Sequence, residues 1–248
     1  MPRSYSITDV GRRRDMNQDY VFASDAPLGN FPCLYIVADG MGGHRGGERA
    51  SKMAADTVIN HIKRAPQAEP ARLFDNAYYL ANNAVRTMAA KHRQYYGMGT
   101  TLVACTIFGN ELFAANVGDS RLYVMEGEQL RQVTVDHSLV EAMVRAGSLE
   151  RSQMRTHPER NVITRAIGAE DILTTDVFYA TLKEDARILM CSDGLTGLID
   201  DSEIEEILRR GGSLKEQAET LVARANDAGG TDNISVVLID ASMIGGEI

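Results

Sequence analysis

The sequence predicts an α+β fold in which antiparallel sheets carry helices on their outer faces. Segments with helical periodicity come in pairs between groups of strands, whereas a parallel sheet would need strict alternation of strand and helix. Two apolar runs meet at Gly109-Asn110, a two-residue signal for an antiparallel hairpin. Several strand-like runs end in an aspartate beside a glycine, which is typical of a strand that stops at a tight turn.

The N-terminal part of the chain contains short strands followed by two helices. Residues 5–10 and 20–23 have strand character, and residues 33–39 form an apolar, β-prone run. Apolar residues recur at helical spacing over residues 48–63. They do so again after Pro70, a residue that suits the first turn of a helix.

The centre of the chain is predicted to be a meander followed by a short helix and a flap. Residues 100–125 and 129–133 contain strand-like runs separated by turn signals. Residues 138–146 fit a short helix that ends at a glycine. Residues 148–159 are polar and without periodicity, so we expect an exposed, irregular flap with no core of its own.

The C-terminal part is predicted to return to strands and to contain two further helices. Strands are expected over residues 173–179, 187–191 and 234–239. Ser202 with Glu205, and Ser213 with Glu216, have the spacing of capping boxes that open helices.

Composition indicates one folded domain over residues 1–248. Hydrophobic residues make up 44% of the chain and charged residues 24%, which is ordinary for a globular protein with ample core. The formal net charge of −8 argues against nucleic acid as the main partner, because an acidic surface repels phosphate backbones. The N-terminus lacks the apolar segment of a secretion signal, and no apolar run reaches the roughly 20 residues that span a membrane. We therefore expect a cytoplasmic protein without a membrane partner.

The three cysteines are expected to be reduced, buried and chemically inert. Cys33, Cys105 and Cys191 are far apart, and each lies within an apolar run. No CxxC pair exists, so a zinc site is not expected.

Four aspartates at strand termini predict a site for divalent cations. Asp39, Asp119 and Asp193 follow apolar runs, whereas Asp232 precedes the last one. Neighbouring antiparallel strands bring the end of one beside the start of the next, so all four can share one sheet edge. Taken singly, each is more often a turn residue, but together their carboxylates repel each other unless a hard cation neutralises them. Oxygen ligands favour Mg²⁺ or Mn²⁺.

Other chemistries fit the sequence less well. The glycine-rich stretch over residues 40–47 lacks the lysine of a P-loop, and Arg45 stands where a dinucleotide fingerprint needs its third glycine. Ser120 lacks the spacing of a nucleophile elbow. An aspartyl-phosphate enzyme usually has a second aspartate two residues after the first, and Met41 occupies that position after Asp39.

Eight short motifs run through nearly the whole chain. They are Arg14-x-x-Asn17-Gln18-Asp19, Ala38-Asp39-Gly40-Met41-Gly42-Gly43-His44, Met98-Gly99-Thr100-Thr101, Gly118-Asp119-Ser120-Arg121, Asp136-His137-Ser138, His157-Pro158, Ser192-Asp193-Gly194-Leu195 and Gly230-Thr231-Asp232-Asn233. Any one of these motifs is weakly specific, but all eight in the right order make a specific match. With them the sequence resembles the metal-dependent Ser/Thr protein phosphatases of type 2C in their compact bacterial form.

The resemblance implies a four-layer αββα sandwich, with two antiparallel sheets flanked by helix pairs and metals at one end. By position, Asp39 would bridge two Mn²⁺ or Mg²⁺ ions. Asp193 and Asp232 would hold the first ion, and the Gly40 carbonyl would hold the second. The remaining implied roles are support of the cluster by Asp19, a more labile third ion at Asp119 with Asp193, and binding of the substrate phosphate by Arg14.

The resemblance also implies the reaction, the hydrolysis of phosphoserine and phosphothreonine on proteins. A water shared by the two ions would lose a proton, and the hydroxide would attack phosphorus in line with the leaving oxygen. Asp39, Asp193, Asp232 and Arg14 are the catalytic residues on this interpretation. The expected partners are phosphorylated proteins and a bacterial Ser/Thr kinase whose action the enzyme reverses. The enzyme itself is expected to be a monomer.

Two departures from the family leave the general acid open. Some members have a histidine directly after the Asp-Gly pair, where this chain has Met41, so a metal-bound water or His44 remains as candidate. Gln18 stands where other members have a glutamate.

Two further interpretations stay open at the level of sequence. The flap arginines Arg151, Arg155 and Arg160 would either attract phosphorylated segments or form a solvated charged face. The chain itself would be an active phosphatase, a pseudophosphatase that scaffolds a partner, or a switch that dephosphorylates an anti-sigma antagonist. All four core aspartates are present, which favours an active enzyme.

Overall fold

Two antiparallel sheets face each other, and helices cover the outer face of each. The computed structural model describes residues 3–241, without the side chains of residues 3 and 43–45. The predicted α+β fold and its four layers are confirmed within this part of the chain.

The first sheet carries strands from the N-terminal half of the chain and one later edge strand. Its order is β2 (Asp19–Ser24), β3 (Leu34–Met41), β5 (Leu102–Phe108), β6 (Glu111–Val117) and β9 (Asp176–Thr181), with the short β4 (Gly99–Thr100) paired to β3. The predicted hairpin at Gly109-Asn110 is confirmed, because Phe108 pairs with Glu111 across that two-residue connection. Gly109 has a φ of 59°, a left-handed conformation that glycine adopts readily.

The second sheet joins the two ends of the described chain. Its order is β1 (Arg3–Asp9), β11 (Ile234–Asp240), β10 (Arg187–Cys191), β7 (Arg121–Glu126) and β8 (Gln129–Gln132). All pairs within it are antiparallel.

Two long helices cover the first sheet and two shorter ones cover the second. These are α1 (Gly43–Arg64) and α2 (Pro70–Lys91), then α5 (Asp201–Arg209) and α6 (Leu214–Asp227). The short helices α3 (Leu139–Arg145) and α4 (Asp193–Thr196), with 3-10 helices at Arg93–Tyr95 and Arg151–Thr156, lie in the connections. No helix within residues 3–241 is long and apolar enough to cross a membrane.

Alternation along β3 divides the core into layers. Tyr35 and Val37 face the other sheet, while Leu34 and Ile36 face α1 and α2. The three cysteines are all buried and none is paired, as the sequence predicts.

Several predicted boundaries are wrong. The first helix begins at Gly43, five residues earlier than periodicity indicates, because glycines 46 and 47 are part of it. The Ser213 capping box is confirmed, but the Ser202 box is wrong. Asp200 caps that helix instead, since its carboxylate accepts from the amide of Glu203 at 2.8 Å. The strand predicted over residues 173–179 begins only at Asp176.

The flap is more ordered than the sequence predicts. It contains the 3-10 helix Arg151–Thr156, which opens with a capping box formed by Glu150 and Gln153. Met154 is buried, so the segment has an apolar anchor that a polar composition hides. Irregular structure was therefore the wrong expectation for residues 151–156.

Candidate metal centre

The predicted aspartates lie at the same end of the sandwich but on two different sheets. Asp39 lies near the C-terminal end of β3, and Asp119 follows β6, two strands of the first sheet. Asp193 follows β10, and Asp232 precedes β11, both in the second sheet. The expectation of one shared sheet edge is thus wrong in detail. Two facing edges meet across the sandwich, and each contributes two carboxylates.

These four side chains line one cavity of about 670 Å³. Arg14 and Gly40 line it as well, together with Gln18, Met41 and Thr101. The structure therefore brings six of the seven predicted site residues to a single cavity. The seventh, Asp19, does not line it.

Asp19 lies behind the cavity wall, beside Asp39. The two residues are paired in register between β2 and β3. One Asp19 oxygen, Oδ2, accepts from the hydroxyls of Ser192 at 2.8 Å and Ser235 at 2.6 Å. Burial raises the pKa of Asp19 to about 7, and the charges of Asp193 and its neighbours add to that effect. The two serines were missed in the sequence because neither has a partner close in the chain.

The carboxyl groups that line the cavity do not ionise as easily as free carboxyl groups do. Burial raises the pKa of Asp39 and of Asp119 well above the ordinary value, and mutual repulsion between carboxylates raises both further. The pKa of Asp193 is raised as well, first by burial and then by the charge of Asp232. A divalent cation bound among these carboxylates would neutralise their charges and remove the repulsion between them.

Unsatisfied oxygens show that the site fits a hard cation. Asp19 Oδ1 and Asp193 Oδ1 are buried and have no hydrogen-bond partner within the described residues. Among the described side chains, no three acidic, histidine or cysteine groups lie close enough together to form a closed metal cage, although four aspartates face the same cavity. Mg²⁺ and similar ions keep several waters and need only one or two carboxylates each, so an open arrangement of this kind suits them.

Arg14 lies at the mouth of the cavity and is paired with a carboxylate. Its Nη2 donates to Asp232 Oδ2 at 2.7 Å. The preceding residues fix this loop, because the backbone amides of Arg12 and Arg13 both donate to the Gly230 carbonyl. The guanidinium is thus held beside the acidic side chains, with about half of its surface exposed.

The backbone after Asp39 lies close to the backbone of α1, which explains why glycine follows Asp39. A Cβ on Gly40 would overlap the carbonyl of Gly47 in α1, and a Cβ on Gly47 would overlap the carbonyl of Gly40. Helix α1 therefore packs directly against the peptide whose carbonyl the resemblance assigns to the second ion.

Two hydroxyls connect the strands that carry Asp39 and Asp119. Thr101 Oγ1 accepts from the Asp39 amide at 2.9 Å and lies 2.8 Å from Ser120 Oγ. Thr101 and Ser120 therefore have a structural role in the motifs that contain them, and sequence reasoning did not find that role. Met41 lines the cavity and has no proton to donate, and the side chain of His44 lies outside the described residues.

The flap arginines are engaged within the fold. Arg151 pairs with the buried Glu141 at 3.2 Å, and Arg155 pairs with Asp200 at 3.6 Å. Arg160 donates to the backbone carbonyl of Arg155. These contacts tie the flap to α3 and to the start of α5, while the side chains of Arg151 and Arg155 remain 65% and 41% exposed.

The fold matches solved structures of bacterial serine/threonine phosphatases. The structure of the Staphylococcus aureus serine/threonine phosphatase superposes with a TM-score of 0.89 at 33% identity, over 97% of this chain and 95% of that one. The catalytic domain of the phosphatase PstP, solved in complex with two manganese ions, gives a TM-score of 0.85 at 30% identity, over 96% and 97% of the two chains.

The family model for protein phosphatase 2C matches residues 11–228, and the chain belongs to that family. The predicted family and enzyme class, a metal-dependent protein phosphatase, are confirmed. Similar relatives include the serine/threonine phosphatase stp of Listeria welshimeri, 37% identical over 243 residues, which are 96% of this chain and 95% of the relative. Protein phosphatase PhpP of Streptococcus pneumoniae is 39% identical over 241 residues, 94% of this chain and 95% of the relative.

Proposed function

We propose that this chain hydrolyses phosphoserine and phosphothreonine on proteins at a binuclear Mn²⁺ or Mg²⁺ centre in the acidic cavity. The observation that carries the proposal is the convergence of four aspartates and Arg14 on one cavity that leaves a buried Asp193 oxygen without a partner. Two relatives are named serine/threonine phosphatase or protein phosphatase, and a structural neighbour contains two manganese ions.

Each residue of the site has a role in this proposal. Asp39 would bridge the two ions, with Asp193 and Asp232 on the first and the Gly40 carbonyl on the second. Asp19 would support the cluster from behind, and Asp119 with Asp193 would hold a more labile third ion. Bound divalent ions supply Lewis-acid polarisation of the phosphoryl oxygens and activation of water.

Arg14 would bind the substrate phosphate with its planar pair of N–H donors. Its contact with Asp232 supports this role, because the carboxylate holds the guanidinium at the cavity in advance of substrate. A phosphate that arrives beside Asp232 then meets a cation already in position. This matters for a protein whose net charge of −8 repels anionic substrates in general.

Hydrolysis of a phosphothreonine peptide and of p-nitrophenyl phosphate tests the proposal. We expect turnover with Mn²⁺, none with excess EDTA, and none for Asp39→Asn. Arg14→Ala should lower kcat/KM on the peptide by about 10- to 100-fold, since a charge-assisted contact to phosphate is lost. The matched control is Arg12→Ala, because Arg12 bonds to Asn226 and Asp227 outside the cavity.

Two results would contradict the proposal in different ways. Full activity in EDTA would exclude the metal mechanism. Tight Mn²⁺ binding without turnover on any phosphopeptide would favour a scaffold that has kept the fold.

We further propose that the enzyme acts as a monomer and reverses a Ser/Thr kinase. Among the described residues, the most exposed large apolar side chains are Tyr96 and Ile172, which belong to different segments of the chain, and single exposed apolar residues do not require a partner. Sedimentation at several concentrations tests the monomer. Phosphorylation sites that rise when the gene is deleted, and fall when active enzyme is restored, identify the substrates.

A further inference from the structure

His137 bonds to both backbone groups of Gly118, the residue before Asp119. The amide of Gly118 donates to His137 Nδ1 at 3.0 Å, and the amide of His137 donates to the Gly118 carbonyl at 2.9 Å. Gly118 has a φ of 110°, and a Cβ there would overlap Thr101, so only glycine fits at this position. The imidazole is buried, with 8% of its surface exposed.

The neighbours of the ring define its tautomer. A backbone amide can only donate, so Nδ1 must accept and the proton must lie on Nε2. That proton points to Asp176 Oδ2, 3.1 Å away. Arg165 completes the arrangement by donating to Asp176 Oδ1 at 2.7 Å and to the Thr174 carbonyl. Arg165 Nη1 also lies 3.0 Å from Nε2. Two N–H donors at this distance repel each other, and the Asp176 carboxylate that accepts from both offsets the repulsion.

The Asp119 carboxylate depends on this backbone for its position. It is 8% exposed, and no hydrogen bond from another described residue reaches it. Its place in the cavity is therefore set by the Gly118 peptide before it and by Ser120 after it, which contacts Thr101. Of these two supports, only the first involves a side chain held by further charged groups.

We propose that His137, fixed by Asp176 and Arg165, is a positioning residue that aims the Asp119 carboxylate and so sets the affinity of the cation shared by Asp119 and Asp193. The inference rests on the proposed function of the cavity. The carboxylate–histidine pair resembles those that orient groups behind metal ligands, except that here the ring accepts from a backbone amide. It assigns a role to Arg165, which no sequence motif suggested.

Calorimetric titration of Mn²⁺ into chelator-treated protein tests the inference without using activity. His137→Leu removes the acceptor for the Gly118 amide, whereas His137→Asn keeps an oxygen at the position of Nδ1 but cannot reach Asp176. Asp176→Asn removes the charge that fixes the ring. The matched control is Gln217→Met, because Gln217 is also a buried polar residue and bonds to the Leu208 carbonyl in the second helix pair, outside the cavity.

We expect His137→Leu to weaken the most weakly bound ion by about tenfold and to leave the tighter ions unchanged, since a buried amide loses its partner. His137→Asn should stay within about threefold of the unmodified protein, and Asp176→Asn should fall between the two. Gln217→Met should lower thermal stability without changing Mn²⁺ binding.

Other outcomes overturn the inference. Unchanged binding of the weakest ion by folded His137→Leu would do so, and so would equal weakening of all ions in that variant and in Gln217→Met. If His137→Leu does not fold, Asp176→Asn replaces it in the test. An Asp176→Asn variant that binds Mn²⁺ as the unmodified protein does would also overturn the inference. Absence of Mn²⁺ binding by the unmodified protein would instead contradict the proposed function itself.

Discussion

Replacing Asp19 with asparagine should stabilise the metal-free protein while it weakens the response to metal. Asp19 is buried behind the cavity, where Ser192 and Ser235 both donate to one of its oxygens and the other oxygen has no described partner. Asparagine keeps an oxygen for the two hydroxyls and removes the charge. A structural carboxylate would lose stability on this change, but one retained for a cation should gain it.

The magnitude follows from the pKa. Burial and neighbouring carboxylates raise the pKa of Asp19 from 3.8 to about 7. Between these values the folded state keeps a proton that the unfolded state has lost, so stability falls as pH rises through the window and the full cost is present above about pH 7. Each pH unit is worth about 1.4 kcal/mol, which gives a ceiling of about 4 kcal/mol. Asn should therefore match the unmodified protein near pH 4 and exceed it by about 2–4 kcal/mol at pH 8.

Urea unfolding in EDTA at pH 4 and at pH 8 measures this difference. When Mn²⁺ is present, urea unfolding should show the unmodified protein to be more stable than Asp19→Asn. The reason is that the folded unmodified protein binds Mn²⁺ more tightly and gains more stability from binding. Gln217→Met serves as a control whose effect should not depend on pH, because Gln217 bonds to backbone carbonyls and to Arg187, and to no carboxylate of the described residues. An Asp19→Asn protein that is less stable at pH 8 in EDTA, or whose difference is the same at both pH values, would refute the reasoning.

Three further changes test the supports of the site and the corrected helix start. Thr101→Val leaves the partly buried amide of Asp39 without its acceptor and should lower the free energy of unfolding by about 1–3 kcal/mol. An unchanged urea midpoint would contradict the hydrogen bond between this amide and Thr101. Gly47→Ala drives a methyl group into the Gly40 carbonyl, so calorimetry should show Mn²⁺ bound several-fold more weakly; unaltered binding would mean that this carbonyl is no ligand. Asp200→Ala should destabilise the protein by about 1 kcal/mol and Ser202→Ala by much less, while the reverse order would restore the capping box read from the sequence.

Sequence reasoning found the aspartates because each stands at a break in an apolar run. It placed them on one edge, since the rule for antiparallel neighbours says nothing about a second sheet facing the first. Asp39 and Asp232 in fact belong to different sheets. Their approach depends on sandwich packing, which is a tertiary property that local pattern does not encode.

The roles that sequence reasoning missed depend on long-range contacts. Ser235 bonds to Asp19 across 216 positions, and His137 reaches Asp176 across 39. Each looks ordinary in its own segment. The Ser202 box failed for a related reason: Asp200, two positions earlier, competes for the same helix start and was not weighed as a cap.

Anomalous X-ray scattering from crystals grown with Mn²⁺ tests the central claim most directly. We predict two strong manganese peaks in the acidic cavity, with the Asp39 carboxylate ligating both and with Asp193 and Asp232 on one of them. Manganese peaks only elsewhere on the protein, or none within coordination distance of Asp39 in crystals of active enzyme, would contradict the account.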